Sequence, residues 1–167
     1  PGFSGGYAYV APADREEWAR AGNRIFSRFE DHWMPFEAVD TEDLGRLCGS
    51  LHTIFLLLAD QDVAAAVPLI NDLLAAFPAS PHISTAAPWS LHYHDHSLPP
   101  VAAWQIGCAA ALGSFISSGA WQYIGRCEAE RCDRVFIDDT KNRSRRFCSQ
   151  RCQNRAKVRA YRLRAVL

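Results

Sequence analysis

The sequence predicts a mainly α fold with a small β-hairpin. It divides into an acidic helical body over residues 1–120 and a basic, cysteine-rich segment over residues 121–167. Three observations lead there. Apolar side chains recur at helical spacing through most of the first 120 residues. Two short strand-like runs flank Ala87-Pro88. The last quarter of the chain holds four of the six cysteines and most of the positive charge. With 167 residues, 49% of them hydrophobic and 22% charged, the chain can bury a core and is too apolar for disorder. No run approaches about 18 uninterrupted apolar residues, which predicts no membrane span. The first residues show no charged region followed by an apolar one, so no signal peptide is expected and the protein is predicted to be cytoplasmic.

The body reads as a strand, four helices and a hairpin. Phe3 to Val10, with Tyr7 and Tyr9 alternating, predicts a short strand. Asp14-x-x-Glu17 has the form of a capping box, and Trp18, Ala21, Ile25, Phe29 and Trp33 follow at helical spacing until Pro35. A second helix is expected from near Thr41, with Leu44, Leu47, Cys48, Leu51, Ile54, Phe55 and Leu58 on one broad face. Asp62 is placed to cap a third, which Pro68 is expected to kink or divide. His82 to Ala86 and Trp89 to His94 form the predicted hairpin. Pro100 suits the first position of a fourth helix, and Gly119 its end. The aromatic and aliphatic stripes are core positions, and Cys48 and Cys108 on those faces behave as small hydrophobes.

Overall neutrality hides a division of charge. Residues 1–125 carry five basic and thirteen acidic side chains, a net of −8, whereas residues 126–167 carry thirteen basic and five acidic, a net of +8. Such segregation marks either a nucleic-acid-binding appendage or a basic tail that docks on its own acidic body.

The cysteines bear on the architecture of that appendage. They run Cys127-x4-Cys132-x15-Cys148-x3-Cys152, two close pairs separated by fifteen residues. Zn²⁺ takes four soft ligands at tetrahedral corners about 2.3 Å away, and two short chelate loops supply two corners each. A segment this short and polar buries too little apolar surface to fold alone, so a metal replaces the core. Two disulfides would use the same four residues, but the lack of a signal-like start favours one structural zinc ion. Trp121-Gln122-Tyr123-Ile124 and Arg134-Val135-Phe136-Ile137 read as the strands of a knuckle. Ser149 reads as the N-cap of a helix running to Arg164, with Cys152 in its first turn. The predicted whole is a helical body plus a C-terminal treble-clef-like zinc finger.

On that last helix Arg151, Arg155, Arg159 and Arg162 fall within a stripe of about 80°, with no acidic partner at helical spacing. Cys152, Ala156, Ala160 and Leu163 form the neighbouring stripe, expected to face the metal and the hairpin. Arg143, Arg145 and Arg146 precede the helix, and Lys157 adds to the charge. Guanidinium forks bind phosphate oxygens bidentately, and Asn154 and Gln153 are candidate base readers. The basic residues with Asn154 form the candidate nucleic-acid contacts.

The segment from Arg126 to Arg164 resembles the CGNR zinc finger family. The likeness rests on the four cysteines, the Phe136-Ile137-Asp138 strand end, the Asn142-Arg143-Ser144-Arg145-Arg146 run, and Cys148-Ser149 followed by Cys152-x-Asn154-Arg155-x-Lys157. Gln153 stands where the family has its namesake glycine. Proteins of that family commonly carry an ABATE-type N-terminal domain and are described as stress-induced transcription regulators of bacteria. Leu91-His92-Tyr93-His94 and the helix after it are similar to the end of that domain. The resemblance implies DNA binding.

One further constellation lies in the body. His92, His94 and His96 occupy every second position and share one face of a strand, making them candidates for a second metal or ligand site. They fall one residue short of the H-x-H-x-D-H signature of metallo-β-lactamase-like hydrolases, a fold needing many more strands. No Gly-rich phosphate loop, G-x-S-x-G or H-E-x-x-H is present, so no catalytic role is expected. The leading expectation is a zinc-dependent DNA-binding regulator whose partners are DNA and a second copy in a homodimer. The alternative is a protein-interaction or self-association module whose finger grips an acidic partner.

Overall fold

A computed structural model describes residues 15–26, 35, 37, 40–85, 89–94 and 97–164. The expected strand at Phe3–Val10, the capping position Asp14, Phe29, Trp33 and His96 lie outside the described residues. The described chain runs α1 (Arg15–Phe26), α2 (Thr41–Ala59), α3 (Val63–Ala75), β1 (His82–Ile83), β2 (Leu91–His92), α4 (Pro100–Ser117), a 3₁₀ turn (Ala120–Tyr123), β3 (Ile124–Arg126), β4 (Val135–Ile137) and α5 (Gln150–Arg164).

Helix α2 forms because its apolar residues repeat along one face, and Leu44, Leu47, Ile54 and Leu58 are buried. Glu42 and Asp43 lie in its first turn, where the helix dipole favours negative charge, and both pair with Arg46. A three-residue turn with Gln61 at φ 62° reverses the chain. Asp62 then caps α3, its carboxylate accepting from the Ala65 amide at 3.1 Å. Pro68 neither divides nor ends α3, which continues to Ala75. Pro68 is exposed while Ala66 and Ile70 are buried, so water can satisfy the carbonyl it leaves unbonded and packing holds the helix together.

Pro100 sits in the first turn of α4, as the sequence predicts, and Gly119 at φ 76° closes its end with its amide on the Ile116 carbonyl. Gln105 donates to the Leu73 carbonyl and ties α4 to α3. By length and composition α4 is apolar enough to cross a bilayer, although no uninterrupted apolar run reveals it. Its buried residues Val101, Ala102, Ala103, Ile106, Ala109 and Leu112 place it in the protein core.

The main core joins Ile54 and Leu58 of α2, Ala66 and Ile70 of α3, Leu112 of α4, and Ile124 of β3. Trp121 and Val135 pack on the same cluster, so its packing crosses the 120/121 division between body and C-terminal segment. Two antiparallel strand pairs are present among the described residues. In the first, His82 pairs with His92 and Ile83 with Leu91. In the second, Ile124 pairs with Ile137, Gly125 with Phe136 and Arg126 with Val135. The expected strand at Trp121–Ile124 is corrected. Gly119 leaves α4 in a left-handed conformation, its carbonyl accepts from Gln122, and a 3₁₀ turn carries Trp121 onto the core before β3 begins at Ile124.

Candidate metal centre and basic helix

Each of the four thiols is delivered by a short, locally determined piece of chain. Cys127 follows β3 directly, and its amide donates to the Arg134 carbonyl at 2.9 Å. Arg131, at φ 57°, turns the knuckle back so that Cys132 returns beside it. Cys148 precedes α5, and Cys152 occupies that helix's first turn. Ser149 caps α5 as expected, its hydroxyl accepting from the Cys152 amide at 3.3 Å.

The sulfur geometry separates metal from disulfide. A tetrahedron of sulfurs about 2.3 Å from a shared ion has edges of roughly 3.8 Å, whereas a disulfide bond is about 2.05 Å long. Cys132 to Cys148 is 3.8 Å, Cys148 to Cys152 is 3.6 Å, and Cys152 to Cys132 is 3.8 Å. All four sulfurs lie within 4.8 Å of one another, and all four residues are free cysteines. This is a site for one structural zinc ion, held by Cys127, Cys132, Cys148 and Cys152. The Cys148 amide points at the Cys127 sulfur at 3.4 Å, and the Arg155 guanidinium lies 3.6 Å from the Cys152 sulfur. Such outer contacts orient metal ligands and stabilise thiolate charge.

Without metal the thiols are inequivalent. Burial, reinforced by hydrogen bonds with Cys152, Cys127 and Cys132, pushes Cys148 up to about 12. Burial also raises Cys132. At Cys152 burial acts the same way, but the contacts with Ser149 and the other three sulfurs outweigh it and bring the thiol down to about 7.

A small cluster of Cys127, Ala129, Phe136 and Cys152 packs around the site, with Phe147 at its margin. Phe136 lies between Gly125 and Arg145. A Cβ at Gly125 would come 2.8 Å from its ring, so no larger residue fits opposite Phe136 without a shift, while the Arg145 guanidinium sits 5.0 Å from its ring centre. Arg145 also donates to the carbonyls of Ile137, Phe147 and Cys148 and pairs with Asp139. Buried Asp138 accepts from the Thr140 amide and hydroxyl and from the Arg145 amide. The Thr140 hydroxyl, backed by these amides and by the Arg145 charge, holds the Asp138 carboxyl below its ordinary range. Together Asp138 and Arg145 lock the loop between β4 and the second cysteine pair.

These contacts sort the candidate nucleic-acid residues. Arg145 is turned inward as a loop clamp. Arg146 pairs with Glu128, and Arg143 lies over the Tyr123 ring with its guanidinium carbon 4.4 Å from the ring centre. No acidic side chain stands at helical spacing from the arginines of α5, but Arg159 pairs with Glu130 of the knuckle at 2.9 Å. That partner is distant in sequence and invisible to helical spacing. Arg151, Lys157 and Arg162 are exposed and have no acidic partner among the described residues, and Arg155 is exposed beside the Cys152 sulfur. Asn154 is exposed and accepts from the Gln150 side chain at 3.0 Å, while Gln153 is half-buried.

The expected inward stripe is also corrected. Cys152 is buried and Ala156 half-buried, but Ala160 and Leu163 are exposed. A 15-residue helix is about 22 Å long, whereas three-residue strands span about 10 Å, so the finger covers only the first turns. The rest of α5 projects into solvent, with Val158 49%, Tyr161 70% and Leu163 59% exposed.

His92 and His94 come together, their rings edge-to-face with centres 5.7 Å apart, while the third imidazole of the described cluster is His82, stacked on His92 at 5.4 Å. Spacing along one strand could not reveal His82, since the cross-strand register brings it in. No curated protein sequence matches the chain. The four-thiolate finger is where a known family is found: residues 123–165 match the family model described as CGNR zinc finger.

Proposed function

We propose that this chain is a zinc-dependent DNA-binding protein, a bacterial transcription regulator without a catalytic role, whose α5 contacts duplex DNA. The observation that carries the reading is the projecting half of α5. Beyond the metal-bound turn the helix is exposed, and it presents Arg155, Lys157 and Arg162, joined by exposed Arg151 in the first turn, with no acidic side chain among the described residues to neutralise them. A helix of about 10–12 Å diameter suits the major groove of about 12 Å, and guanidinium groups suit phosphate oxygens. The acidic body repels phosphate and confines contact to the basic end. In this reading Asn154, on the outer face, is the candidate base reader, and Arg145 is left to its structural task.

Affinity for duplex DNA is expected to fall steeply with salt, since each phosphate contact releases condensed counterions. Arg151→Ala/Arg162→Ala removes two exposed charges and no zinc ligand, and should reduce the logarithmic salt slope of the zinc-loaded protein by about two. An absence of binding at low salt, or an unchanged slope in the double variant, refutes the reading. The exposed Val158, Tyr161 and Leu163 support a second reading, in which the finger grips an acidic partner or another copy. It requires salt-sensitive self-association without nucleic acid, measurable by light scattering.

A further inference from the structure

We propose that His82, His92 and His94 form a second metal site, independent of the finger and specific for a borderline divalent ion such as zinc. Three half-buried imidazoles meet at the hairpin between α3 and α4. Register places His82 opposite His92, and His94 follows where β2 ends and the chain bends. The hairpin is braced on both sides of them. The Ser80 amide donates to the Tyr93 carbonyl, the Ser84 amide to the Ser90 carbonyl, and the Ser90 amide to the Ser84 hydroxyl, each at 2.8 Å.

The ring separations fit a shared ion. Imidazoles bound through nitrogens about 2.0 Å from one metal have ring centres roughly 5 Å apart. The centres here are 5.4 Å apart for His82 and His92, and 5.7 Å for His92 and His94. The His82 Nδ1 lies 2.9 Å from the Ser80 carbonyl, which can only accept, so Nδ1 donates there and Nε2 is the nitrogen that would bind the proposed ion. A carbonyl on the far nitrogen is the usual outer support of a metal-binding histidine. Only the four cysteines among the described residues already have their ligand atoms gathered within 4.8 Å. Binding a common ion requires the His92 and His94 rings to turn about χ2, a broad and roughly two-fold torsion, while the Ser80 carbonyl holds the His82 ring in place. Three imidazoles suit zinc or a neighbouring first-row ion and leave a coordination position for water or an anion. A bound ion would staple the hairpin and couple the end of α3 to the start of α4.

Metal analysis of the untagged full chain, equilibrated with excess zinc and then dialysed against micromolar zinc, tests the site. Two zinc ions per chain are expected. His82→Gln/His94→Gln should keep the helical circular dichroism and the thiolate-bound ion while losing the other. A single ion in the unaltered chain overturns the proposal, and so does a second ion that survives in the double variant. Imidazole NMR of the unaltered chain tests the same site without relying on a variant's folding. Ring signals of His82, His92 and His94 should shift with the second equivalent of zinc, and unchanged signals exclude the site. Neither experiment involves DNA.

Discussion

The body and the finger solve the same problem by different physics. In the body, Ile54, Leu58, Ala66, Ile70 and Leu112 come from three helices and exclude water among aliphatic side chains. In the finger the corresponding cluster is Cys127, Ala129, Phe136 and Cys152, and half of it is sulfur. Burial of hydrocarbon stabilises the first, whereas the second gathers its four sulfurs around a metal. The two are nonetheless continuous, because Ile124 enters the body's core and Trp121 and Val135 pack on it. The hairpin side of the finger is thus anchored by hydrocarbon. The helix side is held by Cys148 and Cys152 together with the contacts of Asp138, Arg145 and Arg159.

Metal removal breaks this comparison most strongly. Structural zinc contributes about 10–16 kcal/mol to finger-sized units at neutral pH. Chelation, or Cys152→Ser, should release α5 and the loop before it while α2, α3 and α4 keep their helical signal, as amide-resolved NMR would show. Zinc affinity should also fall with pH. Cys148 and Cys132, both raised, are protonated at neutral pH and must each give up a proton to bind, so affinity should drop at least about a hundredfold per pH unit. Below about 7 Cys152 takes up a proton too and the dependence steepens, which competition titrations from pH 8 to pH 6 would record.

Ile54→Ala probes the other side and should cost about 2–5 kcal/mol in denaturant unfolding, since Ile54 is fully buried. Because Ile124 shares that core, finger and body should lose stability together; independent transitions would show that the shared packing carries no energy. Arg145→Ala leaves the carbonyls of Ile137, Phe147 and Cys148 without their side-chain donor, at about 1–3 kcal/mol. It should weaken zinc binding while leaving the duplex salt slope of the zinc-loaded protein unchanged, separating Arg145 from Arg151 and Arg162. The smallest effect is expected at the Arg126–Asp60 pair, half-exposed at 3.5 Å across the join. Asp60→Asn should change stability by less than about 1 kcal/mol.

What the amino-acid order determined by itself is whatever depends on neighbours a few residues apart. Asp62 and Ser149 as caps, Pro100 and Gly119 at the ends of α4, the apolar face of α2 and the two cysteine pairs are all such features, because helical periodicity and chelate-loop length are local properties. The division of charge belongs with them, being a count. What only the tertiary structure decided is which distant groups meet. Glu130 finds Arg159, Asp138 and Arg145 close the metal loop, Gly125 makes room for Phe136, and His82 joins His92 through a hairpin register. Ala160 and Leu163 show the converse, since periodicity places them on an inward stripe but nothing reaches far enough to cover them. Periodicity gives the direction of a side chain around its own axis, and only the packed arrangement of elements determines whether another surface is there to receive it.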